Sequence, residues 1–156
     1  MQKRGLLLLA AILAALFSLS VTAAACGGDK DEEAPETLTG TSSEATAVDV
    51  SLKEFAVGLS ADSAPAGTVT FNLTNDGAVL HNLRVIRTED DPGDLPVDEN
   101  TFMVDEAQVD VAASSDDVDM GQTGEVTADL EAGSYVLICN TPTHYDAGMH
   151  AAFTVE

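Results

Sequence analysis

Cys139-Asn140-Thr141-Pro142-Thr143-His144-Tyr145-Asp146-Ala147-Gly148-Met149 lies near the end of a 156-residue chain and carries most of its chemistry. A thiol, an imidazole and a thioether recur in it at five-residue intervals. The run before it, Tyr135 to Cys139, is almost wholly apolar and bounded by turn residues, which predicts a strand buried on both faces. Cys139 therefore ends a strand, and the loop beyond must bend back for His144 and Met149 to converge on one point. Pro142 stiffens the first half of that loop, and Gly148 permits close chain approach just before Met149.

Outward from this loop the patterning is β. Val48, Val50 and Leu52 alternate with Asp49, Ser51 and Lys53. Val69, Phe71 and Leu73 alternate with Thr70, Asn72 and Thr74 ahead of the turn Asn75-Asp76-Gly77. Leu83 and Val85 predict a short strand that starts after His81. Val126, Ala128 and Leu130 form another alternating set before Glu131-Ala132-Gly133, and Phe153 and Val155 a last one. Period-two runs separated by turns predict one all-β domain, a sandwich or barrel, over residues 47–156. Residues 88–121 depart from this: they are rich in Asp and Glu and contain Pro92 and Pro96. With weak alternation around Val109 and Val111, they read as a long acidic excursion holding one short element.

The first 25 residues have the layout of an export signal. Lys3 and Arg4 precede an unbroken apolar stretch from Leu6 to Phe17, and Ser18 to Ala25 is mostly small. Ala23-Ala24-Ala25-Cys26 resembles the lipobox of bacterial lipoproteins, although Ala23 stands where Leu is usual. That resemblance implies lipidation at Cys26 and a protein anchored to the outer face of the cell membrane. The competing reading is an uncleaved membrane anchor. Residues 26–46 are acidic and small, with Leu38 the single large apolar side chain, and read as a flexible tether.

Cysteine and charge narrow the function. If Cys26 carries lipid, Cys139 is an exported thiol without a partner, and metal ligation gives such a thiol a reason to persist. All 27 acidic residues follow Cys26, against four basic ones (Lys30, Lys53, Arg84, Arg87), so the processed chain has a formal charge of −23. This excludes nucleic acid and anionic lipid surfaces as partners and permits a basic protein partner with a salt-dependent on-rate.

With His81 upstream, the donor set becomes two His, one Cys and one Met, the ingredients of a mononuclear copper site with a weak axial thioether. Structural zinc wants four strong ligands, and Met is a poor one. A dinuclear copper site would need a second Cys in the loop. The runs Glu89-Asp90-Asp91 and Asp116-Asp117 lack the regular offsets of a calcium loop and read as solvated surface.

These residues resemble the cupredoxins, the plastocyanin–azurin superfamily of blue-copper proteins. The Cys-x4-His-x4-Met spacing is similar to that of rusticyanin. Pro142, three after Cys139, is shared with azurin, and Val79-Leu80-His81-Asn82 resembles the family's His-Asn ligand segment. The resemblance implies a Greek-key β-sandwich and one type 1 copper held by His81, Cys139, His144 and Met149. It implies that Asn82 ties the two ligand loops together, and that backbone N–H groups of Asn82 and Thr141 reach the sulfur. Pro142 shapes the loop. Thr143 stands where Gly often precedes the second His. Leu80 replaces a Gly that brings a carbonyl towards the metal in azurin, which implies no extra axial oxygen.

The function so implied is a monomeric, membrane-tethered one-electron carrier working with a redox partner protein, and not an enzyme. The electron would leave by the outer edge of His144, with Ala147 in an apolar surround. A protein that delivers or buffers copper outside the cytoplasm is the alternative, and a metal-free adhesion or scaffold domain is a third class.

Overall fold

A computed structural model describes residues 45–156. The expected signal, the lipidation site Cys26 and nearly all of the tether lie outside the described residues. Those described contain strands and turns but no helix.

Eleven strands form. They are β1 (Thr46–Lys53), β2 (Ala56–Leu59), β3 (Ser63–Ala64), β4 (Gly67–Asn75), β5 (Arg84–Arg87) and β6 (Val97–Asp98). β7 (Met103–Val104), β8 (Asp110–Ser114), β9 (Thr123–Leu130), β10 (Gly133–Ile138) and β11 (His150–Val155) follow. One sheet has the order β2-β1-β4-β9 and the other β3-β11-β10-β5-β8, with β6 and β7 as a separate ribbon. Pairing is mostly antiparallel, but β1 runs parallel to β4 and β3 parallel to β11. The chain crosses between the sheets after β2, β3, β4, β8 and β9, giving a Greek-key sandwich.

Alternation explains the faces. Val48, Val50 and Leu52 on β1 and Val69, Phe71 and Leu73 on β4 point inward and are at most 1% exposed. They meet Tyr135, Leu137, Phe153 and Val155 of the opposite sheet in one cluster. Phe71 and Phe153 touch edge to face across the two sheets, with ring centroids 5.4 Å apart. Such a pair adds about 0.5–1.5 kcal/mol beyond its burial. β10 is buried on both faces at its C-terminal half, as its apolar run predicts.

The second face of β10 explains the acidic excursion, which is more than solvated surface. Leu95 and Val104 from the excursion pack with Ile86, Val136, Ile138 and Tyr145 in a separate buried cluster outside the sandwich. Tyr145 fastens this cover, because its hydroxyl donates to Pro92 O and accepts from Leu95 N–H. The excursion also supplies β8, which joins the sheet edge beside β5. The strand expected to start after His81 begins later, at Arg84, and His81 makes only an isolated bridge with Val118.

Candidate metal centre

The loop from Cys139 to Met149 is the tip of the β10–β11 hairpin. The ladder runs up to Ile138 opposite His150, and Cys139 N–H then donates to Met149 O at 3.0 Å. Inside the tip, His144 N–H donates to Thr141 O and Met149 N–H to His144 O, each at 3.0 Å. These bonds fold the loop back over its own start. Thr143 takes a left-handed φ of 70°, which explains why Gly is at home in that position, and Gly148 takes φ 104°. Thr143 N–H donates to Phe102 O, so the excursion also holds the loop.

His81 arrives from the other side. Its backbone exchanges both hydrogen bonds with Val118, at 3.2 and 2.7 Å. The buried Asn75 amide grips the carbonyls of Val79 and Val118 on either side of it. Asn82 then joins the two ligand segments: its Oδ1 accepts from Asn140 N–H at 2.9 Å.

These supports bring three donors together. Cys139 Sγ lies 3.6 Å from His81 Nδ1 and 3.6 Å from His144 Nδ1. All three donor atoms fall within 4.8 Å of one another, and all three residues are buried. Met149 is fully buried at the end of the same loop. The donor set can be tested against a metal directly. Bonds of about 2.0 Å to imidazole and 2.3 Å to thiolate, opened to roughly 110–120°, leave N···S separations of about 3.5–3.7 Å. The observed 3.6 Å fits, and both imidazoles turn the same nitrogen inward. Burial pushes both His81 and His144 below the usual histidine range. The Glu54 charge pulls His81 part of the way back, while His81 itself presses His144 further down. Both rings are therefore neutral at pH 7 and offer a lone pair, as a ligand must.

The sulfur has one further neighbour. Thr141 Oγ1 lies 3.3 Å from Sγ, and once the thiol ionises the hydroxyl is the donor. Besides the two imidazoles, the Thr141 hydroxyl is thus a hydrogen-bonding neighbour of the sulfur. Pro142 is exposed at the loop surface.

Four contributors escape the sequence pattern. Asn140, 1% exposed, accepts from Val104 N–H and donates to Val104 O and Glu106, pinning the ligand strand to the excursion. Asp117 accepts from Asn82 Nδ2 at 2.9 Å and so orients the residue that ties the loops; its acidic run is not merely solvated. Phe55 stands edge-on to His144 with centroids 5.4 Å apart. Glu54 approaches the far nitrogen of His81. The one signal for them in the sequence is the place of Asn140 directly after Cys139; Asp117, Phe55 and Glu54 carry none.

A family model for copper-binding proteins of the plastocyanin/azurin family matches residues 44–156. No curated protein matches the chain significantly. Among solved structures, dithionite-reduced auracyanin from the photosynthetic bacterium Roseiflexus castenholzii is similar, at 24% identity and a TM-score of 0.56. That match covers 72% of this chain and 98% of auracyanin. Auracyanin A, a "blue" copper protein of the green thermophilic photosynthetic bacterium Chloroflexus aurantiacus, is 25% identical with a TM-score of 0.51, covering 71% of this chain and 98% of that one. An azurin from the methylotroph Methylomonas sp. strain J shares the fold at 19% identity and a TM-score of 0.51, with coverage of 71% and 98%. The set His81, Cys139, His144 and Met149 fits one type 1 copper site.

Proposed function

The chain belongs to the plastocyanin/azurin family of copper-binding proteins, and from that membership we propose a one-electron carrier held at the outer face of the membrane through Cys26. The observation that carries this reading is the equal 3.6 Å approach of two buried imidazole nitrogens to one buried sulfur. His81, Cys139 and His144 would be the strong ligands of a bound copper and Met149 a weak one. A bound copper supplies one-electron exchange between its two oxidation states.

The chain's own part is to hold the donors still and to open one path. Hydrogen bonds from Val118, Asn75, Asn82 and Asn140 fix both ligand segments, so the donors keep their places whichever charge the site carries. Thr141 donates to the sulfur and tunes it. His81, Cys139 and Met149 are 0% exposed, whereas His144 is 8% exposed. His144 is thus the ligand whose edge reaches solvent and a partner, and exposed Phe55 beside it extends the contact area. The partner is a redox protein with a basic docking surface, matching the acidic chain. Delivery or buffering of copper fits less well, because donors this enclosed hold a metal better than they release it.

The test uses the full-length protein with Cu(II) and a visible spectrum. An intense thiolate-to-copper band is expected, absent in Cys139→Ser and His81→Ala and retained in Met149→Leu with a changed potential. A colourless wild type sinks the reading. Competition for Cu(I) with a chelator separates carrier from delivery protein, since ready loss favours the latter. Labelled palmitate entering the wild type but not Cys26→Ser checks the tether.

A further inference from the structure

Glu54 sits in the two-residue turn between β1 and β2, where Lys53 pairs with Ala56. Its carboxylate is not free to wander: Oε1 accepts from Ala78 N–H at 2.8 Å and from Val79 N–H at 3.0 Å. The same oxygen lies 3.3 Å from Nε2 of His81. That nitrogen belongs to a fully buried ring and has no hydrogen-bond partner, Glu54 Oε1 standing close by without making a regular hydrogen bond to it. Backbone N–H groups, its own and those of Ala78 and Val79, hold the Glu54 carboxyl below the usual range, so it is ionised. The space around the contact is closed. A Cβ on Gly77 would stand 2.7 Å from both Glu54 oxygens and from His81 Nε2. The chain thus uses a glycine where any side chain would displace this carboxylate.

We propose that Glu54 is a positioning residue for the copper site, which keeps the proton of His81 on Nε2 and sets a fixed negative charge behind the ligand ring. An imidazole that binds a metal through Nδ1 must carry its proton on Nε2, and a carboxylate facing Nε2 selects that tautomer before the metal arrives. With copper on the other nitrogen, the negative charge favours the more positive Cu(II) over Cu(I). Glu54 therefore lowers the reduction potential. A backbone carbonyl facing the same nitrogen would hold the tautomer but lack the full charge. This inference rests on His81 being a ligand.

Two full-length variants separate charge from contact: Glu54→Gln keeps shape and loses charge, and Glu54→Ala loses both. The first readout needs no metal. Ring nitrogen shifts of His81 in the copper-free protein are expected to report the Nε2–H tautomer in the wild type and a mixture in Glu54→Ala. The second is the potential of the copper-loaded protein. Loss of a partner behind a ligand typically costs about 10–100-fold in metal affinity. A tenfold loss of Cu(II) relative to Cu(I) affinity raises a one-electron potential by about 59 mV. A rise of that order is expected in Glu54→Gln, and also in Glu54→Ala.

An Nδ1–H tautomer in the copper-free wild type overturns the proposal, as does a potential unmoved in Glu54→Gln. Should Glu54→Gln fail to fold, the wild-type tautomer and the Glu54→Ala potential still decide. Failure of the electron-carrier reading looks different, since the wild type itself would then give no blue band.

Discussion

The two histidines present the same nitrogen to the same sulfur at the same 3.6 Å, yet their surroundings differ. His81 is walled in: its backbone is bonded twice to Val118, the carbonyls around it are gripped by Asn75, and Glu54 stands behind its ring. His144 rides on a hairpin tip, is 8% exposed, and stands perpendicular to the ring of Phe55. The difference divides the labour of one site. The enclosed histidine is where the protein can set the affinity and potential, because charges and dipoles act strongly where water is excluded. The histidine at the window is where an electron can pass, because a partner can come close.

Removing each ring breaks this comparison most sharply. His81→Gly and His144→Gly are both expected to lose the blue band completely. Added imidazole should restore it in His144→Gly, where solvent reaches the gap, and not in His81→Gly, as visible spectra will tell. Equal rescue of both would mean that the two sides are not unlike after all.

Next in size is the tie between the two sides. Asn82→Ala leaves the buried Asn140 N–H without its acceptor, which costs about 1–3 kcal/mol. Denaturant unfolding of the copper-free protein measures it. At the window, Phe55→Ser is expected to slow electron exchange while shifting stability by no more than about 0.5 kcal/mol. Stopped-flow mixing with a small redox reagent, beside an unfolding curve, checks both halves. Thr143→Gly relieves a left-handed Thr and should stabilise the loop by up to roughly 1 kcal/mol, seen as a higher unfolding midpoint.

The smallest effect is a pH dependence. Burial raises the Glu106 carboxyl, but hydrogen bonds from Asn140 and Arg84 outweigh it and leave it below the usual range. The stabilisation it brings is thus fully present above the ordinary glutamate pKa of an unfolded chain and is lost as pH falls through its lower folded value. Glu106→Gln should flatten that part of the stability–pH curve.

What could be read in the sequence follows from the range of the interactions. β1, β4, β9, β10 and β11 are long enough for alternation to speak, and the ligand loop is local, so eleven consecutive residues display its chemistry. β2, β3, β6 and β7 have two to four residues each, too few for a period to emerge. β8 is half-exposed and lies among carboxylates, so the sequence shows it only as a weak alternation around Val111. The outer cluster draws Leu95 and Val104 from the excursion at irregular spacing, so nothing marks them as buried until β10 is seen to need a cover. Glu54 and Phe55 act on histidines 27 and 89 positions away, and only the sandwich brings them there. The Asn82 tie was legible because it adjoins a ligand. The sulfur's hydroxyl neighbour was legible only as a residue, Thr141, and not as an atom.

The 58-residue separation between His81 and Cys139 has a consequence for when the metal is acquired. An unfolded chain offers a copper ion Cys139, His144 and Met149 in one short segment but no His81 and no fixed geometry. The complete set exists only after β4, β5 and β10 have docked. Binding that favours the folded form stabilises it by mass action, by about 2.7 kcal/mol when free metal is a hundredfold above the dissociation constant. A chain threaded across a membrane before folding would therefore leave the cytoplasm with little hold on copper and fill its site on the far side. Possession of the metal then certifies a finished fold.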